Sequence, residues 1–408
     1  MSKKLMPDRG DSTSARRAAA RGVLGLSKLL PLLFVACLAH AESSGGAKPS
    51  CTPAESAKFV CGIVNSEDLV RLPKTHWVIS SGKPGPDVPV GHLFLINIDN
   101  KAAEPFFPLA HNRYRLDQKL FGGCPGKPDE DKFDAEGINA RPIGNGRFTL
   151  YVINHAGRES TEIFEIDTRD KKPTITWIGC VLTPPMPQSD HPSLGNAVAP
   201  LPNDAFAISI NPAAALKHTM DADTAATVKP AIDPNFVEKM FNGEIMGFVM
   251  LWTPGTGWQV VPGSGMAGSN GIEASADGKW LYVDALLEPG IYRLSLGRSP
   301  VDRVVIKTTF HPDNIRWGDD GFLYVTGPGL TGPELMKAAM ACARSTSTQV
   351  CPVPFTVLKV DPRTLQSEEL FNEPGGPLFA LATGVAKIGH ELWLSSVRTT
   401  RLAVYPLK

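Results

Sequence analysis

The sequence predicts an all-β fold built from radially repeated sheets, and three features predict it. From about residue 60, short apolar-alternating runs are separated by Gly, Pro, Asn and Asp, the pattern of antiparallel strands joined by turns. Helical periodicity is almost absent there. Six segments also share one layout: a polar residue, an apolar stretch, a turn, and a second apolar stretch that opens another hairpin.

The copies run in order. Glu67-Asp68-Leu69 leads to WVISSG and HLFLINI, and Glu136-Gly137-Ile138 leads to FTLYVINH and EIFEID. Asn196-Ala197-Val198 precedes AFAISI and FVMLW, while Asn270-Gly271-Ile272 precedes KWLYVDAL and GIYRLSL. Asp313-Asn314-Ile315 and Thr383-Gly384-Val385 open the last two. Each interval is long enough for a four-stranded sheet with its loops, and radial repetition of such a unit protects its edge strands. A six-bladed β-propeller follows. A two-sheet sandwich would also alternate, but would not repeat one internal order six times. Residues 212–245 and 329–346 break the pattern with Ala, Met, Leu, Lys and Glu at helical spacing. They read as helical insertions in blades three and five, placed over one face as a substrate lid or as plain surface excursions.

The chain has 408 residues, 42% of them hydrophobic, with 41 basic and 41 acidic side chains. A core is therefore available and no basic excess exists to hold a polyanion, which excludes disorder and sequence-independent nucleic-acid binding. Lys3, Lys4, Arg9, Arg16, Arg17 and Arg21 precede the apolar run Leu29–Leu38, and Ala39-His40-Ala41 follows it. Residues 1–41 thus read as a secretory signal peptide, 42–60 as an N-terminal extension and 61–408 as the propeller. The run is too short to span a membrane. The expected location is periplasmic or extracellular, with no transmembrane segment in the mature chain and no obligate protein partner. Cys51, Cys61, Cys124, Cys180, Cys342 and Cys351 remain after cleavage, an even number suited to an oxidising compartment. Spacing favours Cys51–Cys61 and Cys342–Cys351, with Cys124–Cys180 left over, although a bond from the N-terminal segment to a distant loop competes.

In a propeller the innermost strand of each blade begins near the central channel, so Glu67, Asp68, Glu136, Asn196, Asn270, Asp313 and Asn314 converge on one axial region. All are hard oxygen donors. Such a set suits Ca²⁺, which takes 6 to 8 oxygens, better than zinc or copper. Each residue singly could instead cap its own turn; their repetition at equivalent positions argues for a central metal site.

The segments NSEDLVRLPKTHWVISSG, EGINAR through VINHAGRESTEIFEI, SNGIEASADGKWLYVDALL, HPDNIRWGDDGFLYV and GVAKIGHELWLSSVRTTRLAVYPL resemble the paraoxonase/arylesterase family of calcium-dependent lactonases. They also resemble the wider group of senescence marker protein 30 and the gluconolactonases. The resemblance spans about residues 60–408. It implies that a catalytic calcium is held by Glu67, Asn270, Asp313 and Asn314, joined by Asn196 on the third blade. It further implies a second, structural calcium held partly by Asp68, with Asn196 serving both ions. Of the family's His dyad, His155 is present, while Glu136 stands where the other His is expected.

The function expected on this reading is hydrolysis of lactones or aryl esters, with Ca²⁺ polarising the carbonyl and His155 or Glu136 activating water. The apolar residues 235–249 favour hydrophobic substrates. No G-x-S-x-G elbow occurs, and the nearest string, GSGMAG at 263–268, lacks the strand-to-helix context of a serine nucleophile. Two alternatives use the same scaffold: a sugar-lactone hydrolase of the gluconolactonase type, and a non-hydrolytic strictosidine-synthase-like or ligand-binding propeller.

Overall fold

The computed structural model describes residues 51–54, 56–85, 87–185, 193–211, 247–330, 332–343 and 350–407. Pro49–Lys408 form one compact unit. Its first strand, β1 (Lys58–Cys61), belongs to the last sheet, and the next twenty-three fall into blades in chain order. Blade one comprises β2 (Ser66–Arg71), β3 (Trp77–Gly82), β4 (His92–Asn97) and β5 (Ala103–Phe107). Blade two comprises β6 (Ala135–Gly144), β7 (Arg147–Asn154), β8 (Ser160–Asp167) and β9 (Thr174–Leu182). Blade three holds β10 (Gly195–Pro200), β11 (Phe206–Ile210), β12 (Phe248–Thr253) and β13 (Gly257–Val260). Blade four holds β14 (Ser269–Ala274), β15 (Trp280–Ala285), β16 (Gly290–Ser295) and β17 (Arg303–Lys307). Blade five has β18 (Asn314–Trp317), β19 (Leu323–Pro328), β20 (Phe355–Val360) and β21 (Ser367–Glu373). In blade six β22 (Val385–Ile388), β23 (Glu391–Leu394) and β24 (Arg401–Pro406) are completed by β1, which pairs antiparallel with β24.

This is the expected six-bladed propeller. The chain that closes it begins at Lys58, inside the segment read from sequence as an extension. Four residues that look like a linker become a strand because β24 offers them an unpaired edge.

Burial falls from the axis outward. Every residue of β2 except Arg71 is buried, as is all of β14, whereas Arg303, Val304, Val305 and Lys307 of β17 are exposed. Between blades, large side chains fill the wedge. Tyr282 of blade four meets Trp317 of blade five edge-on at 5.7 Å, and Trp317 Nε1 donates to the Ala274 carbonyl at 2.7 Å. The bonds Cys51–Cys61, Cys124–Cys180 and Cys342–Cys351 are all formed, the pairing that spacing favoured.

Among the described residues two α-helices occur. The first, α1 (Gln118–Phe121), is capped by Asp117, whose carboxylate accepts from the amides of Lys119 and Leu120. The second, α2 (Gly332–Ala343), lies between β19 and β20. The expected insertion at 212–245 lies outside the described residues, as do the signal peptide and most of the apolar stretch 235–249. Among the described residues no helix is long and apolar enough to cross a membrane.

Candidate cation and active site

Four innermost strands share one irregularity. The register of β2 against β3 shifts between Ser66 and Leu69, that of β6 against β7 between Ala135 and Ile138. The same shift falls between Gly195 and Val198 in β10 and between Ser269 and Ile272 in β14. The pairs enclosed are Glu67-Asp68, Glu136-Gly137, Asn196-Ala197 and Asn270-Gly271. A bulge leaves its extra residue out of the ladder and re-aims its side chain. Here it does so at the positions that sequence repetition marks.

Neighbouring blades approach closely at two of these bulges. A Cβ on Gly137 would lie 2.6 Å from the Ala197 Cα, and one on Gly271 would lie 2.6 Å from the Asn314 Cα and 2.7 Å from Asp284 Oδ2. Only glycine permits that approach. It lets the Gly271 amide donate to the Asp313 carbonyl at 2.7 Å, placing Asn270 beside Asp313 and Asn314.

Glu67 stands across from them. Its Oε1 accepts from Asn314 Nδ2 at 2.8 Å, and its backbone carbonyl accepts from Thr383 Oγ1 at 2.6 Å and Ser395 Oγ at 2.9 Å. The sixth-blade residue Thr383 thus serves the backbone of the first. Four oxygens here are buried without a hydrogen-bond partner: Glu67 Oε2, Asn196 Oδ1, Asn270 Oδ1 and Asn314 Oδ1. Each such group costs about 1–3 kcal/mol when left unmet. Burial, with Asp68 and Asp313 nearby, pushes the Glu67 carboxyl up to about 8, against the weaker opposing pull of Lys83 and Asn314. An oxygen cluster short of positive charge is what a hard cation requires, so the residues present fit one. Among the described residues no three His, Cys, Asp or Glu side chains form a ligand group, so amides would supply much of the shell.

A carboxylate that sequence reading missed lies behind this cluster. Asp284 on β15 is fully buried with neither oxygen hydrogen-bonded, and burial, reinforced by Asp313, raises it well above the usual carboxylate range. It sits inside the apolar string KWLYVDAL, where only its break in the apolar run could have flagged it.

Asp68 is paired within the protein. Its Oδ2 accepts from the Ile138 amide at 2.9 Å and from Arg316 Nη2, and its Oδ1 accepts from the Leu69 amide at 2.8 Å. Arg316 Nη2 also reaches the Ile138 carbonyl, while Nη1 donates to the Ile315 carbonyl at 2.8 Å and lies 3.6 Å from Glu273 Oε1. A guanidinium bridging blades one, two, four and five supplies the positive charge, so Asp68 does not fit a second, structural ion.

The two residues read as catalytic are brought together: His155 Nε2 lies 3.5 Å from Glu136 Oε2. His155 follows β7, and Asn154 fixes the turn, its Nδ2 donating to the carbonyls of Ala156 (3.0 Å) and Arg158 (3.1 Å). That turn returns Glu159 to the ring, with both Oε atoms 3.0 Å from His155 Nδ1. Burial raises the Glu159 carboxyl, while His155 and Lys83 draw it back. Lys83, just after β3, is buried with its Nζ against Glu136 Oε2 and 3.2 Å from Asp134 Oδ1. Lys83 and Glu159 were not anticipated; a Lys in a Gly-Pro turn reads as solvated. Ser264 of the GSGMAG string is buried and structural, donating to the Val261 carbonyl at 2.7 Å and accepting from the Val249 amide at 3.0 Å.

Topology and site together define a six-bladed β-propeller with a buried polar cluster at its axis. No protein-family model and no curated protein sequence matches the chain. Among solved structures it is similar to a protein described as a gluconolactonase, at 13% identity and TM-score 0.48 over 89% of this chain and 98% of the other. It is similar to a luciferin-regenerating enzyme at 12% identity and TM-score 0.48, over 86% and 93%. A gluconolactonase from Xanthomonas campestris gives 14% identity and TM-score 0.46, over 86% and 90%. At such identities activity does not follow from likeness.

Proposed function

We propose that this propeller is an exported, calcium-dependent hydrolase of lactones or aryl esters. The observation that carries the reading is the set of four buried, unpartnered oxygens on Glu67, Asn196, Asn270 and Asn314, together with the Glu136–His155 pair. Glu67, Asn196, Asn270, Asp313 and Asn314 would hold the ion. When bound, such a cation supplies the positive charge that polarises an ester carbonyl and favours the developing oxyanion.

The chain's own residues supply the proton chemistry. Glu136 Oε2 and His155 Nε2, 3.5 Å apart, would both accept from one water placed beside the pair. One accepts a proton from that water as its oxygen attacks the carbonyl carbon, and the other holds its second hydrogen in line. The carbon–oxygen bond to the leaving alkoxide then breaks, and the accepted proton returns to the alkoxide, giving a hydroxy acid from a lactone. Export is supported by three disulfides, which persist in oxidising compartments.

The test is hydrolysis of γ- and δ-lactones and phenyl acetate by the purified protein, with calcium and after EDTA, with metal content read on the same sample. Calcium-dependent turnover is expected. Bound calcium without turnover of any ester would move the function to ligand binding, and absence of bound metal would remove the cation from the site.

A further inference from the structure

Resting on the hydrolase reading, we propose that Glu159 and Lys83 are positioning residues that together fix the proton of His155 on Nδ1 and leave Nε2 bare to accept a proton from water. The His155 side chain is 1% exposed, and a carboxylate faces each of its nitrogens. A neutral imidazole has a single N–H to offer.

The two carboxylates are not equivalent. Glu159 presents both oxygens to Nδ1 at 3.0 Å, within hydrogen-bond reach. Glu136 stands 3.5 Å from Nε2, beyond it, because its Oε2 is held by the Lys83 ammonium. Asp134 is drawn to the same ammonium at 3.2 Å. The remaining charge on this turn, Arg158, is turned away in a bidentate pair with Glu162 at 2.7 and 2.9 Å, so it does not compete for either Glu159 or His155. Lys83 therefore decides a contest. Without it, Glu136 would be free to draw a proton onto Nε2, and the atom facing the reaction would become a donor instead of an acceptor.

The arrangement also explains how an acid can stand where the resemblance implies a second His. With its Oε2 answered by a buried lysine, Glu136 serves as a second acceptor for the attacking water.

The experiment is ¹⁵N-histidine NMR on the whole protein, with long-range ring couplings assigned by loss of the His155 signals in His155→Gln. The wild type should show a proton on Nδ1 and an unprotonated Nε2 near neutral pH. Lys83→Met should place a proton on Nε2, and the pair Lys83→Met/Glu136→Gln should clear it again. A wild-type proton on Nε2, as a neutral Glu159 carboxyl would give, overturns the proposal; so does a Lys83→Met spectrum identical to wild type. Because the wild-type spectrum alone decides, a variant that fails to fold does not rescue the idea. Absence of lactone turnover with the Nδ1–H form intact would instead sink the hydrolase reading and leave this geometry standing.

Discussion

Asn314 on the fifth blade donates its amide hydrogen to Glu67 on the first, Nδ2 to Oε1 at 2.8 Å. The bond engages Glu67 Oε1 and Asn314 Nδ2, leaving Glu67 Oε2 and Asn314 Oδ1 as acceptors with nothing to accept from. Asn314→Leu, which removes the donor and one orphan acceptor, is expected to weaken calcium binding at least tenfold in a calorimetric titration. Unchanged affinity would place the ion elsewhere.

Calcium should stabilise the wild type by mass action, about 2.7 kcal/mol at a hundredfold excess over Kd. A thermal melt with calcium and with EDTA reads this directly. Asp313→Ala and Asn270→Ala should each shrink the difference between the two melts, while the EDTA melt itself stays near the wild-type value or rises.

Gly271→Ala pushes a methyl to within 2.7 Å of the Asn314 Cα, the Asp313 carbonyl and Asp284 Oδ2. Overpacking of this kind costs about 1–3 kcal/mol, and it should separate blades four and five at the ion site. Denaturant unfolding and calcium titration should therefore both fall; a stable variant with intact calcium affinity would mean the blades can part without disturbing the cluster.

Arg316→Met leaves Asp68 buried with its charge unanswered, a loss of about 3–5 kcal/mol. Adding Asp68→Asn should recover part of it. Urea denaturation of the single and double variants tests the coupling, and simple additivity would contradict the contact.

Burial pushes the Glu273 carboxyl up to about 7, even with Arg316 and Asn139 pulling it down. Between the ordinary value of 4.5 and about 7 the native state therefore holds a proton that the unfolded chain has released. This group's contribution is present below that window and is lost as pH rises through it, by something of the order of 3 kcal/mol. Glu273→Gln should flatten that part of the stability profile, measured by denaturant midpoints from pH 4 to 8.

The blade plan was readable because each copy opens with a polar residue before an alternating run, and in four blades the register shifts show why: those positions are bulges, where a polar side chain is turned out of the ladder. The positions of Glu67, Asn196 and Asn270 follow from that logic, and those of Asp313 and Asn314 from the repeat alone. Lys83, Glu159, Asp284 and Arg316 could not be found so, since each meets its partner across blades or across a turn whose path no local pattern states. The pairing of Asp68 was hidden for the same reason, because its partner Arg316 lies 248 residues away. Strand β1 was missed because KFVC is too short to show a period and becomes a strand only beside β24.

That closure has a kinetic side. Lys58 pairs with Val404, so the ring is sealed by a contact between segments about 350 residues apart. Bringing such ends together costs about 2.5 kcal/mol more in loop entropy than closing a 20-residue hairpin, and contacts of this range slow folding. The last blade cannot be completed until the C-terminal strand has been synthesised. A chain stopped before Arg401 would leave β1 and β23 as two open edges, prone to pairing with another molecule in the same state.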